Sequence, residues 1–242
     1  MFRRHRRRAL IVGAAALAVQ GFIGTKEARA HRRDFPFTYE WFQAARNEKE
    51  LEFHTRYRER NETWTHQIEL EYGTTNRLQN AVYLVFEDGP GESLQYTEFK
   101  LQGRYQLGDY KPNDLLPGLY LEYIHPRHGS GEIEAKLILS RYDARGDNLS
   151  LNYIIEKPLE SGAEFENIYS VAYARSVGAP ERGTRIGAEW IHNLSSDRIN
   201  AGPVLGMRTG VNTWFTTHYA FPVNRRGGNK GEFRLIFGYE WF

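Results

Sequence analysis

From residue 48 to the end, the chain alternates between apolar and polar residues. A period of two is the mark of strands with two unlike faces. Between residues 63 and 72, Trp64, His66, Ile68, Leu70 and Tyr72 alternate with Thr65, Gln67, Glu69 and Glu71. Near the C-terminus Phe233, Leu235, Phe237, Tyr239 and Trp241 share one face, with Glu232, Arg234, Gly238 and Glu240 on the other. The pattern predicts about twelve strands, with ten or fourteen as the even alternatives. Their spans are 48–60, 63–72, 77–87, 94–107, 117–126, 131–142, 147–157, 163–175, 183–192, 199–208, 211–221 and 231–241. The separators are rich in Gly, Asn, Asp and Pro, which set turn dihedrals or stop pairing. Helical periodicity is nearly absent; residues 42–46 could form a single turn.

Long alternating strands joined by short turns make an up-and-down antiparallel sheet, which must hide its apolar face. A sandwich turns that face inward; a membrane barrel turns it to lipid. The segments are about 10–13 residues long, whereas soluble strands run to roughly 5–6. A tilted strand needs roughly 9–11 residues to cross the hydrocarbon. The expected fold is therefore all-β, an up-and-down antiparallel transmembrane β-barrel. Its lumen would be lined by Glu52, Arg56, Glu69, Glu71, Glu98, Lys100, Arg104, Glu122, Glu134, Lys136, Arg185, Glu189 and Arg234. Aromatics near strand ends, namely Tyr72, Tyr105, Tyr123, Tyr153, Tyr173, Trp190, Phe221 and Trp241, would sit at the membrane interface, where an apolar ring and a polar tip are both satisfied. The 14% aromatic content beside a mean hydropathy of −0.62 fits a wet inner face counted together with a lipid-facing one.

The charge is unevenly placed. Residues 1–30 hold seven Lys/Arg and one acid; the remainder holds 25 bases and 29 acids. The net +2 belongs to the leader, and the rest lacks the concentrated basic face that nucleic acid needs. Residues 1–30 read as a signal peptide: a positive start, an apolar run, and small residues at Ala28 and Ala30 for cleavage after Ala30. The apolar run is about 16 residues, short of the roughly 20 of a spanning helix. Residues 31–47 would be a periplasmic N-terminal segment and 48–242 the barrel. Both barrel ends would lie in the periplasm of a Gram-negative cell. The loops at the other end are short, which argues against a receptor region or a folded plug domain.

The terminal residues Phe237, Tyr239, Trp241 and Phe242 resemble the C-terminal assembly signal of bacterial outer-membrane barrels, although Phe242 is one residue out of phase with the alternation. The barrel assembly machinery and outer-membrane lipid are the partners this implies. Residues 68–78 run Ile68, Glu69, Leu70, Glu71, Tyr72, Gly73, Thr74, Thr75, Asn76, Arg77, Leu78, and residues 50–57 have the same style. This strand–turn–strand unit resembles outer-membrane barrels of the phenol meta-degradation pathway transporter type. The resemblance implies the architecture, the location and solute transport, and it brings no catalytic residue.

Other chemistry is poorly supported. With no cysteine, disulfides, thiolate metal sites and a cysteine nucleophile are excluded. His192 and Ser195, the nearest match to an outer-membrane lipid hydrolase, are three residues apart and alternate to opposite faces of a strand. His125 and His128 form a close pair in a loop, weak as a metal site. Glu50/Glu52, Glu69/Glu71 and Glu132/Glu134 share a face at i, i+2 and could bind a cation or do acid–base work. The blander expectation is a wall in which they face Arg and Lys of neighbouring strands. No catalytic set, cofactor or metal site is therefore assigned. The expected function is a channel or transporter passing small solutes through a charged lumen. The alternatives are a closed structural or partner-binding barrel and, less favoured, a lipid hydrolase.

Overall fold

In the computed structural model, which describes residues 32–178 and 183–242, twelve antiparallel strands close into a barrel. They are β1 (Lys49–Arg58), β2 (Thr63–Gly73), β3 (Leu78–Asp88), β4 (Gln95–Gln106), β5 (Leu116–Pro126) and β6 (Glu132–Tyr142). The second half is β7 (Asn148–Pro158), β8 (Glu166–Val177), β9 (Thr184–Asn193), β10 (Arg198–Arg208), β11 (Thr213–Pro222) and β12 (Glu232–Trp241). One turn of 3-10 helix, Arg226–Gly228, interrupts the last loop. Each strand pairs with its predecessor, and β12 returns to β1 in unbroken register from Lys49↔Trp241 to Arg58↔Glu232. Closure leaves no unpaired sheet edge. The predicted signal peptide lies outside the described residues.

The sheet is turned inside out relative to a soluble protein. On β5, Leu121 is 59% exposed and its neighbour Glu122 is 3% exposed. The same contrast recurs around the barrel: Leu84, Leu101, Leu137 and Leu151 face outward, while Glu52, Glu69, Arg104, Asn152 and Glu189 are buried. Each outward leucine gains about 1.5–3 kcal/mol only if an apolar solvent receives it. The alternation of the sequence is thus the alternation of outside and inside.

The turns 74–77, 143–147 and 209–212 lie at the end that holds Lys49 and Trp241; the loops 59–62, 127–131 and 223–231 lie at the opposite end. The ladder is irregular in two places. Its register shifts between Val85 and Phe86 on β3. On β10, Gly202 and Pro203 have no paired partner on β11; Pro203 has no N–H to donate there.

The segment before β1 packs inside the barrel. Phe35, Thr38, Tyr39, Glu40, Trp41 and Ala44 are buried, and their partners belong to the inward rows of the strands. Residues 32–45 form a strap that enters the barrel at the terminus end, where Arg32 hydrogen-bonds Gly183 O. It leaves at the same end, where Asn47 N–H donates to Gly73 O at 2.7 Å. The strap is an extended loop and not a folded plug domain. Residues 42–46 are not helical; the chain turns at 46–47, with Asn47 in the left-handed region at φ 68°.

Candidate functional site

A strap without regular secondary structure must still satisfy its backbone polar groups. Here the wall side chains do so. Asn152 acts like a strand edge: its Oδ1 accepts from Tyr39 N–H at 2.6 Å and its Nδ2 donates to Tyr39 O at 2.9 Å. Glu189 accepts from Phe37 N–H and Thr38 N–H at 3.2 and 2.7 Å. Ser140 accepts from Trp41 N–H at 2.9 Å, and Gln79 from Ala44 N–H at 2.7 Å. Arg104 Nη2 donates to Glu40 O and Phe42 O at 2.8 and 2.7 Å.

The strap is bolted at Asp34. The Arg185 guanidinium grips its carboxylate with two parallel bonds of 2.9 and 2.8 Å, a geometry that only arginine supplies. Asn148 Nδ2 donates to both Asp34 and Glu40, and Thr216 Oγ1 to Asp34 O. The two limbs also meet directly, through Asp34 N–H and the Glu40 carboxylate. Replacing Asp34 by Ala leaves Arg185 largely buried without its anion. Losing one partner of a buried pair costs about 3–5 kcal/mol, so Asp34→Ala is expected to loosen the strap. Limited proteolysis should then cut within residues 33–45 far faster than in the parent, with the barrel intact.

Tyr39 extends the strap along the wall from β7 toward β3, where its hydroxyl lies 3.4 Å from Tyr83 Oη. Its backbone lies on β7, and its ring packs 4.8 Å from Tyr120 of β5. Arg33 and Lys136 stand over the same ring at 4.2 and 4.1 Å, a cation–π arrangement worth about 0.5–2 kcal/mol per pair. Phe42 closes the terminus end against Tyr142, 4.6 Å between centroids. Beside it a cavity of about 460 Å³ is bordered by Arg32, Asp34, Glu40, Tyr142, Arg185 and Arg208.

All the residues proposed to line the lumen lie on inward rows, and most are occupied with one another or with the strap. Arg104, Arg185 and Glu189 hold the strap. Lys136 pairs with Glu134 at 2.9 Å, and Lys100 reaches Glu98 and Glu122 at 3.4 and 3.5 Å. Arg234 is bonded to Glu232 and stands next to Arg56 in register. Glu189 also faces His218 Nδ1 at 3.0 Å. Toward the end opposite the termini, Arg56, Glu98, Glu132 and Glu156 are only partly buried.

On β1 and β2 the expectation of acid facing base fails. Glu50 stands opposite Glu71 on one side and Glu240 on the other, and Glu52 stands opposite Glu69. Glu71 and Glu69 thus have carboxylates, not Arg or Lys, across the β1–β2 ladder.

The aromatic residues named for the membrane interface project outward. Tyr72, Tyr105 and Tyr173 are exposed toward the terminus end, and Tyr123, Trp190 and Phe221 toward the other. Trp241 stacks on Tyr239 at 5.7 Å. Tyr153 sits midway along β7, its hydroxyl donating to Asn167 Oδ1 at 2.8 Å. Phe242 follows the end of β12, and Phe237 and Tyr239 lie on its outer row.

The hydrolase candidate does not assemble. Ser195 Oγ accepts from Asn167 N–H at 3.0 Å and reaches Phe165 O. His192 instead faces Tyr169 Oη at 3.0 Å and Asp197 at 3.3 Å. Asp197 lies in the loop after β9, held below its ordinary carboxylate value chiefly by its bond to Arg226.

The strap was missed from sequence, yet its berth left a signal. Toward the terminus end, where β1, β2 and β4 present Glu50, Glu52, Glu69, Glu71 and Arg104 inward, β6 to β8 present Ser140, Asn148, Ser150, Asn152, Ser170, Ala172 and Ala174, all buried. Small neutral residues opposite a charged wall mark a place where something packs.

No protein-family model matches the chain, and no curated protein matches it. Solved structures match in fold. The KdgM porin is 10% identical with a TM-score of 0.59, over 80% of this chain and 99% of that one. A KdgM porin in complex with disordered oligogalacturonate gives a TM-score of 0.58 at 10% identity, covering 80% and 99%. The NanC porin gives 0.52 at 10% identity, covering 79% and 98%.

Proposed function

We propose that the chain is an outer-membrane channel for small solutes, whose lumen is narrowed at the terminus end by the strap. The inside-out sheet carries this reading: a closed barrel with leucines outside and ionised rows inside is stable where lipid meets its outer face. The partly buried charges at the far end make a wet vestibule, and charge rings of this kind set ion and solute preference. The fold shared with the KdgM and NanC porins supports the same reading. The oligogalacturonate bound by KdgM is an acidic saccharide; the walls here carry both signs, so the solute class is left as small and polar. Transport of phenol-pathway compounds would be the narrower form of this proposal, suggested by the strand–turn–strand resemblance alone.

In planar bilayers the full chain should give discrete conductance steps. Arg56→Gln combined with Arg234→Gln removes two inward positive charges and should move the reversal potential in a salt gradient toward cation selectivity. A silent barrel, in which the double variant changes only stability, would favour the second reading, a closed structural barrel. The reach of Tyr39 from β7 to the Tyr83 hydroxyl of β3, 3.4 Å away, is the observation that supports that alternative. Membrane insertion is checked separately by heat-modifiable migration on a gel.

A further inference from the structure

The inner face of the β1–β2 hairpin is a block of carboxylates. Glu50 and Glu52 are opposite Glu71 and Glu69, and Glu240 flanks Glu50 from β12. Like charges directly opposite one another weaken a ladder, and these five side chains are at most 1% exposed. Glu52 Oε1, Glu69 Oε1 and Glu71 Oε1 have no hydrogen-bond donor. A buried carboxylate without donors either takes up a proton or is met by a positive ligand. Arg33 of the strap brings one such charge, 3.6 Å from Glu52.

Glu50, Glu52 and Glu71 each place an oxygen within 4.8 Å of the others. Oxygens bound to one calcium at roughly 2.4 Å can lie up to about 4.8 Å apart. The neighbouring set of Glu52, His54 and Glu69 also meets this spacing. There the His54 imidazole already fills the gap, with Nε2 at 2.7 Å from Glu52 and 3.0 Å from Glu69. The all-oxygen set is left, and Trp214 Nε1 positions it by donating to Glu50 Oε1 at 2.7 Å. We propose that Glu50, Glu52 and Glu71 bind a divalent cation of the hard, oxygen-seeking class, calcium in the first instance. The ion would tie the two strands together across a ladder that is otherwise self-repelling. The site does not depend on whether the lumen conducts.

Trp214 makes the site readable with terbium as a calcium substitute. The full chain, folded in detergent and stripped with EDTA, is titrated with terbium while tryptophan is excited. The expected result is saturable sensitised emission at one ion per chain, reversed by calcium. Glu71→Gln, which relieves repulsion and should still migrate as a folded barrel, abolishes the saturable signal. Trp214→Phe loses most of the emission, while calcium still raises its unfolding temperature. The proposal is overturned by no saturable emission in the parent, by the same emission in Glu71→Gln, or by reversal with zinc but not with calcium.

Discussion

Deleting residues 33–44 should raise single-channel conductance by roughly an order of magnitude over the parent, because pore cross-section and the groups lining it govern passage. The strap's buried side chains include Phe35, Tyr39 and Trp41. Twelve strands lie between the eight-stranded barrels that side chains fill and the sixteen-stranded ones that leave an aqueous channel, so a single loop is enough to narrow this lumen. The barrel itself should survive. The β1–β12 ladder starts at Lys49, after the strap, and its pairs involve no strap residue. Without the strap, Asn152, Ser140 and Gln79 lose their partners to water, which satisfies them at little cost. The test compares conductance histograms of parent and deletion in the same bilayers, with heat-modifiable migration confirming that both are folded. Equal conductance in the two would mean that solutes never pass the strap's level.

The second large effect falls on the barrel wall. Gly202→Ala should abolish formation of the compact, heat-modifiable species. A Cβ added at Gly202 would lie 1.8 Å from the Tyr219 carbonyl oxygen and 2.8 Å from its carbon. Both are backbone atoms of the adjacent β11, which cannot step aside as a flexible side chain could. The site falls where Gly202 and Pro203 of β10 lack ladder partners on β11, and the two backbones lie close there. Gly103→Ala is the control. On the same kind of strand its Cβ would meet only Asn80 Oδ1, at 3.6 Å, and folding yield in detergent should be unchanged. A Gly202→Ala barrel that folds as well as the control would show that β10 and β11 can separate there.

Much of the barrel was legible because a two-residue period carries two messages at once, strand and side. The reading 63–72 for β2 missed only Gly73, and 231–241 for β12 began one residue early at Gly231. The strap was illegible for a different reason. Phe35, Phe37, Tyr39 and Trp41 do alternate with Pro36, Thr38 and Glu40, but the run is shorter than a spanning strand, and a period of two does not say that a segment packs inside a barrel. Long-range pairing hid the acidic block as well. The i, i+2 spacing of Glu50 and Glu52 was visible, but only the register across three strands reveals that Glu71 and Glu240 flank Glu50. The hydrolase pair failed on orientation, because Ser195 turns back to Phe165 and Asn167.

Both limbs of the strap pass through the same mouth of the barrel, Arg32 beside Gly183 and Asn47 beside Gly73. A chain that ran in at one mouth and out at the other would be threaded, and removing it would require the β1–β12 seam to unzip. This loop is tucked, as a fold of cord is pushed into a ring. It can be inserted after the seam has closed and withdrawn again with every inter-strand bond in place. Opening the lumen therefore breaks only the contacts of a dozen residues with the wall, and the wall keeps its circumference throughout.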